Sequence, residues 1–160
     1  MKRRLVLVFA VIALAGWMAG AIAGPNPDAQ KIDACLKANA EKGVSGTACI
    51  GIIADPCIAT ASKTNSYRTD SVACAARELT IWTARLQRAV QSAGKGGGKA
   101  KANAVDASQK SLTDSLAKLC PLFDNVDPDM ALGGATYCRL QATAIRVLAI
   151  ERLAAAVNPH

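Results

Sequence analysis

Six cysteines constrain the fold of this 160-residue chain more than any other feature of its sequence. All six follow an N-terminal segment that is typical of a secretory signal peptide, and an even number of cysteines in a small exported domain indicates disulfides. A zinc site is the alternative, but the chain has no Cys-x-x-Cys motif and its single histidine is the last residue. The cysteines are Cys35, Cys49, Cys57, Cys74, Cys120 and Cys138.

The N-terminal segment predicts export. Three basic residues at positions 2–4 precede an apolar run to about residue 18, and Ala21-Ile22-Ala23 fits the small-x-small pattern of signal peptidase sites. A membrane anchor is the alternative, but the glycines within the run and the cleavage pattern favour a signal peptide. We therefore predict a signal peptide at 1–23 and one domain at 24–160, periplasmic or secreted, with no stable membrane anchor after cleavage.

Charge is distributed unevenly along the chain. Removal of residues 2–4 takes away three positive charges and lowers the formal net charge from +7 to +4, which is too mild to predict nucleic-acid binding. The segment from Pro121 to Tyr137 holds three aspartates and no lysine or arginine. A disulfide-constrained acidic loop is a candidate recognition element, with an ordinary solvated loop as the alternative. The candidate partner contacts are Asp124, Asp127 and Asp129.

Helical periodicity predicts the fold class. From about Asp70 to Ser92, apolar residues recur at steps of three and four, which indicates a helix with one buried face. Trp82 is the only tryptophan beyond the signal segment, and we place it in the core together with Leu79 and Leu86. Together with the cysteines, this pattern predicts an all-α, disulfide-stapled domain of about four helices.

Capping and breaking residues predict where the other helices begin and end. We expect helices at about 26–42, 102–119 and 135–157, and a short helix within 45–54 that ends at Asp55-Pro56. Residues 58–69 are polar and predict a loop. The glycines and lysines at 94–99 predict a flexible loop, since the spacing of a phosphate-binding P-loop is absent.

The cysteine pairing is less constrained, because six cysteines permit many connectivities. We predict one disulfide across the acidic loop and one that closes the short loop between Cys49 and Cys57. The remaining pair would join the first helix to the central one. The predicted pairs are Cys120–Cys138, Cys49–Cys57 and Cys35–Cys74.

No residue pattern predicts catalysis. Serine or cysteine nucleophiles most often need a histidine base, and His160 lies at the chain terminus. Glu78 is a single acid on the central helix, for which we expect a helix-cap or surface ion-pair role. The acidic loop lacks the turn glycine and closing glutamate of an EF-hand. We predict no catalytic residues, no enzymatic activity, no metal site and no cofactor.

The order of several short motifs carries a family resemblance. These are Cys35-Leu36, Ala48-Cys49-Ile50-Gly51, Pro56-Cys57, Cys74-x-x-x-Glu78-Leu79-x-x-Trp82-x-x-Arg85-Leu86, Cys120, Gly133-Gly134, Cys138 and Thr143-x-x-Arg146. Over about residues 35–153 the chain resembles the exported helical domains of the lysozyme inhibitor LprI-like family, from whose central-helix pattern it departs at Thr83, Gln87 and Val90. The resemblance implies that the chain binds lysozyme or another envelope protein.

Two functions from different classes follow. The first is a non-enzymatic binding protein of the cell envelope, of which a lysozyme inhibitor is the specific form implied by the resemblance. The second is a helical module that binds lipid or another apolar ligand between its helices. Nothing in the sequence predicts the oligomeric state.

Overall fold

A computed structural model of the chain describes residues 26–125 and 132–157. The described residues form four α-helices and two short 3-10 turns, with no strand among them, and they confirm the all-α, disulfide-stapled fold class. The predicted signal peptide at 1–23 lies outside them. The helices are α1 (Pro27–Glu41), α2 (Ala54–Ala61), α3 (Tyr67–Leu119) and α4 (Gly134–Val157), and the 3-10 turns are Gly46–Cys49 and Cys120–Asn125.

Both ends of α1 are set by local sequence, as predicted. The Oδ1 atom of Asn26 accepts a hydrogen bond from the backbone N–H of Asp28 (2.9 Å), and Pro27 occupies the first turn. After the helix, Gly43 adopts a φ of 65°, which a residue without a Cβ does at little cost. The helix therefore begins and ends within one residue of the predicted bounds.

The two helices predicted at 70–92 and 102–119 form one long element, α3, that is interrupted at a single residue. Gly98 has φ 70° and ψ 173°, a backbone conformation that is essentially restricted to glycine. We call residues 67–97 the first limb and residues 99–119 the second limb. The helix is thus interrupted at Gly98 alone, whereas the sequence predicted a flexible loop over residues 94–99. A Cβ built on Gly94 would lie 3.6 Å from the Cβ of Ala102, so the two limbs fold back on each other.

The last helix, α4, packs against both limbs of α3. It runs antiparallel to the second limb, because a disulfide joins Cys120 to Cys138 and the Nη2 of Arg146 donates to the Oγ of Ser108 (2.7 Å). On its other side, the Nε of Arg85 in the first limb donates to Oε1 of Glu151 (2.6 Å). These three helical segments enclose most of the core, to which α1 and α2 also contribute side chains.

Ion pairs fix α1 to the outside of this arrangement. The Nη2 of Arg77 donates to Oδ1 of Asp28 (2.6 Å), and this hydrogen bond holds the pKa of the Asp28 carboxyl below its usual range. Further along both helices, Arg85 also pairs with Asp33. Both arginines belong to the first limb, so α1 and the first limb run side by side in the same direction.

The predicted core residues of α3 lie where expected. The side chain of Trp82 is fully buried, Leu86 is 7% exposed and Leu79 is partly buried against the same cluster. The spacing of apolar residues in α3 also includes Val72, but Val72 is 41% exposed, whereas the adjacent Ser71 is fully buried where Gly133 lies against the helix. Other large buried side chains of this cluster include Ile32, Leu140, Val147 and Ile150.

The boundaries predicted around α2 are wrong. The segment expected to be helical within 45–54 forms only the 3-10 turn Gly46–Cys49, and α2 begins where the prediction had a helix ending. Pro56 lies in the first turn of α2, where a missing N–H breaks no helical hydrogen bond. Residues 58–61 and 67–69 of the predicted loop are helical, and α2 packs on the first limb.

Two of the three predicted disulfides are also wrong. The structure confirms Cys120–Cys138 but contains Cys35–Cys49 and Cys57–Cys74 in place of Cys49–Cys57 and Cys35–Cys74, with Cα separations of 5.8 and 5.6 Å. The reason is the misplaced helix. Because α2 lies on the first limb, Cys57 faces Cys74, while the 3-10 turn returns Cys49 to α1.

Candidate functional site

The most completely paired polar group in the described residues is the carboxylate of Glu78, whose side chain is fully buried. Its Oε2 accepts hydrogen bonds from the backbone N–H groups of Ile53 (2.9 Å) and Ala54 (2.8 Å), at the start of α2. Its Oε1 accepts from the N–H of Gly51 and from the Nε1 of Trp82, both at 2.8 Å. A buried carboxylate that accepts four donors has no free lone pair aimed at a substrate.

Glu78 therefore differs from its predicted surface or cap role on its own helix. It does cap a helix, but that helix is α2, which starts 24 residues earlier in the chain. A negative charge at a helix N-terminus interacts favourably with the unpaired amides there. The carboxylate thus ties α2 to the first limb, next to the Cys57–Cys74 disulfide.

A second polar contact lies beside this one. The hydroxyl of Tyr137 donates to Oδ1 of Asp55 (2.5 Å) across the interface between α4 and α2. Burial of the phenol, this hydrogen bond and the negative charges of Asp55 and Glu78 together raise the pKa of Tyr137 well above its ordinary value. The phenol stays protonated at neutral pH and acts as a donor, which makes this contact another tie between helices.

The acidic loop contributes one described residue to the predicted partner contacts. Oδ1 of Asp124 accepts from the backbone N–H of Ala135 (2.8 Å), so Asp124 caps the start of α4 while remaining exposed. Gly134 lies so close that a Cβ there would collide with this carboxylate. Asp127 and Asp129 lie outside the described residues. Asp124 is therefore a structural cap whose charge still faces solvent.

The same turn exposes large apolar side chains that the sequence prediction did not single out. Leu119, Leu122 and Phe123 are 52%, 60% and 42% exposed. We call residues 119–125 the apolar turn. Cys120 anchors it to Cys138, and Asp124 anchors it to α4. The signal that could have identified it is the presence of Leu122 and Phe123 directly after Cys120-Pro121, in a segment otherwise rich in Asp, Gly and Pro.

A charged groove of about 510 Å³ lies between α1 and α4. Its floor includes Leu36 and Leu148, which close over Gly46; a Cβ on that glycine would lie 2.8 Å from Leu36. Arg85 on its wall already pairs with both Asp33 and Glu151. These charges are satisfied within the protein, so the groove offers no unpaired charge at that point.

A smaller crevice of about 350 Å³ lies between the second limb and α4, near the break at Gly98. We call it the hinge crevice. Lys101, Ser108 and Arg146 supply its polar side chains. Its apolar lining residues are Ala93, Ala104, Val105, Ile150 and Leu153. The sequence indicated Arg146 only as part of a closing helix motif and gave no signal for Lys101, because the second limb and α4, which bring them together, are far apart in the chain.

The described ranges contain neither a candidate metal site nor a membrane-spanning helix. No three His, Cys, Asp or Glu side chains there are grouped so that they could hold a metal ion. No helix in that part of the chain is long and apolar enough to cross a bilayer. Comparisons with models of protein families, with curated proteins and with solved structures found no match to the chain.

Proposed function

We propose that the chain is an exported, non-enzymatic binding protein of the cell envelope, and that it recognises a partner protein through the apolar turn. The observation that carries the proposal is the exposure of Leu122 and Phe123 on a segment fixed at both sides, by the Cys120–Cys138 disulfide and by the Asp124 cap. Exposed apolar side chains on a rigid loop are typical of interface anchors.

Rigidity supports binding because it lowers the entropy lost on association. The Cys120–Cys138 disulfide and the hydrogen bond from the Ala135 N–H to Asp124 hold the turn against α4 at two points, so its backbone has little freedom to lose when a partner covers it. An exposed phenylalanine beside two leucines presents apolar area that water solvates poorly. This combination favours a protein partner with a complementary apolar recess.

Charge favours a basic partner. The segment from Pro121 to Tyr137 holds three aspartates and no cation, so a basic protein is attracted to this part of an otherwise basic chain. Lysozyme, the partner implied by the family resemblance, is basic in animals and is the first partner to test. The net charge of the whole chain opposes such an approach at long range, so we expect the apolar contact to carry most of the affinity.

The remaining features agree with a binding role outside the cytoplasm. Three disulfides are stable in an oxidising compartment such as the periplasm or the extracellular space, in keeping with the predicted signal peptide. Glu78, the one fully buried charged side chain among the described residues, is occupied by four N–H donors and so supplies no general acid or base.

The test is a turbidity assay in which lysozyme clears a bacterial suspension. We expect the purified, oxidised protein to slow clearing at micromolar concentration. The double variant Leu122→Ser/Phe123→Ser should weaken inhibition by about tenfold or more, because interface anchors typically contribute more than about 1.4 kcal/mol.

The matched control is Val44→Ser, which removes an equally exposed apolar side chain (53%) outside the turn and should leave inhibition unchanged. Absence of inhibition at micromolar excess would rule out lysozyme as the partner. Inhibition by the double variant equal to that of the control variant would rule out the apolar turn.

A further inference from the structure

The hinge crevice has the size and lining of a small-molecule site. Its volume of about 350 Å³ lies near the lower end of the range of about 300–1,000 Å³ that is typical of such sites. Ala93, Val105 and Ile150 form a buried floor, while Leu153 remains 41% exposed at the edge. A slender apolar ligand would cover this leucine and remove the crevice surface from water.

One polar group of a residue that lines the crevice lacks a hydrogen-bond partner among the described residues. The Nη2 of Arg146 donates to Ser108, but its Nε is buried and has no acceptor. A buried donor without an acceptor carries an uncompensated loss of hydration. A guanidinium presents neighbouring N–H groups in one plane, which suits a carboxylate that accepts two hydrogen bonds.

The charge of the crevice is uniformly positive. Lys101 enters from the second limb and Arg146 from α4, and no aspartate or glutamate is among the lining residues. The charged groove beside α1 differs, because Arg85 there is neutralised by two carboxylates of the protein itself. An anionic head group is therefore the complement that the hinge crevice lacks.

We propose that the hinge crevice binds a free, single-chain alkyl carboxylate, a medium-chain fatty acid, with its carboxylate at Arg146 and Lys101 and its tail over Val105 and Ile150. The small volume admits one chain and excludes the paired chains of a bilayer lipid. The proposal goes beyond protein binding and does not depend on it, because the apolar turn lies at the opposite end of α4.

Isothermal titration calorimetry with octanoate, decanoate and dodecanoate, each below its micellar concentration, tests the proposal on the purified, oxidised protein. We expect saturable binding of one ligand per chain. The dissociation constant should fall about fourfold for each added methylene until the crevice is filled. Decanol and decyltrimethylammonium have the same tail without the negative charge and should bind about tenfold more weakly or not at all.

Variants locate the site. Ala104→Phe fills the crevice from an exposed position and should abolish decanoate binding, whereas Ala107→Phe adds the same ring on the second limb outside the crevice and should not. Lys101→Ala should weaken decanoate binding by about tenfold or less. Arg146→Gln should weaken it by more than about tenfold, because only Arg146 offers a buried donor. Arg139→Gln, an exposed arginine of α4, is the control.

Several results would overturn the proposal. They are the absence of saturable binding, equal affinity for decanoate and decyltrimethylammonium, and unchanged binding by Ala104→Phe. Circular dichroism of each variant separates a lost site from a lost fold. Since Lys101 and Ala104 are exposed, their variants keep the test valid even where Arg146→Gln fails to fold.

Discussion

The carboxylate of Glu78 receives two N–H donors on each oxygen, three from the backbone before and within α2 and one from Trp82. Each of these donors is removed from water with it. The free energy of the arrangement therefore depends on all four acceptor positions being present, since a buried N–H that loses its acceptor keeps the full penalty of desolvation.

Glu78→Gln should lower the free energy of unfolding by about 1–3 kcal/mol, because one oxygen becomes an NH2 group. Either orientation of the amide points a donor at two other donors. Urea unfolding of the oxidised protein, followed by the fluorescence of Trp82, measures the change directly at the affected contact.

Glu41→Gln is the matched control. Glu41 lies on the surface in an i,i+4 pair with Lys37 at 4.0 Å, and such pairs contribute about 0–1 kcal/mol. Equal stability of the two variants would contradict the role assigned to Glu78.

Periodicity correctly predicted that Trp82 and Leu86 of α3 are buried, but its spacing also included Val72, which is 41% exposed. It could not predict what Glu78 does. The i,i+4 spacing of Glu78 and Trp82 allowed their hydrogen bond, but the amides of residues 51–54 reach the same carboxylate only through the tertiary fold.

Local signals decided the ends of some helices and failed for others. Asn26 and Gly43 set the two ends of α1, because each affects only the backbone of neighbouring residues. At α2, the same local signals predicted that a helix ends at Asp55-Pro56, although a proline in the first turn is compatible with a helix. The deciding interaction there comes from Glu78, which a local window does not contain.

The break in α3 depends on one glycine. At Gly98 an added Cβ would meet no other residue, so any penalty for a side chain arises from the backbone conformation alone. Gly98→Ala should therefore destabilise the protein by about 1–3 kcal/mol. Thermal unfolding followed by circular dichroism measures this loss.

Gly94→Ala, in the same helix α3, should have the opposite effect on stability. Gly94 is helical, and its added Cβ would make an ordinary contact with Ala102 at 3.6 Å. Alanine is favoured over glycine in a helix interior by about 0.5–1 kcal/mol, so this variant should be more stable than the parent. Two variants of equal stability would show that the break is not fixed at Gly98.

For the whole molecule, the helical class was predictable from periodicity, and the Cys120–Cys138 bond was predictable because it closes the segment between the last two predicted helices. The other two disulfides were not, since Cys57 faces Cys74 only after α2 has docked on the first limb. The sequence predicted which segment holds the candidate site, but not which of its side chains are exposed. The acidic loop drew attention to Asp124, whereas the exposed side chains beside it are Leu122 and Phe123.

The disulfides allow stability and recognition to be separated. The Cys35–Cys49 and Cys120–Cys138 bonds span 14 and 18 residues, so each should contribute about 3 kcal/mol in the chain-entropy model. Replacing either pair by alanines should therefore lower the free energy of unfolding by similar amounts. Peptide mapping without reduction should find each remaining bond unchanged.

Only one of these pairs holds the apolar turn. With both variants studied at a temperature where they remain folded, loss of Cys120–Cys138 should weaken lysozyme inhibition, because the freed turn must be ordered again on binding. Loss of Cys35–Cys49 should leave inhibition intact, since that bond lies between α1 and the 3-10 turn Gly46–Cys49. Equal loss of inhibition in two folded variants would show that binding follows overall stability and not the geometry of the turn.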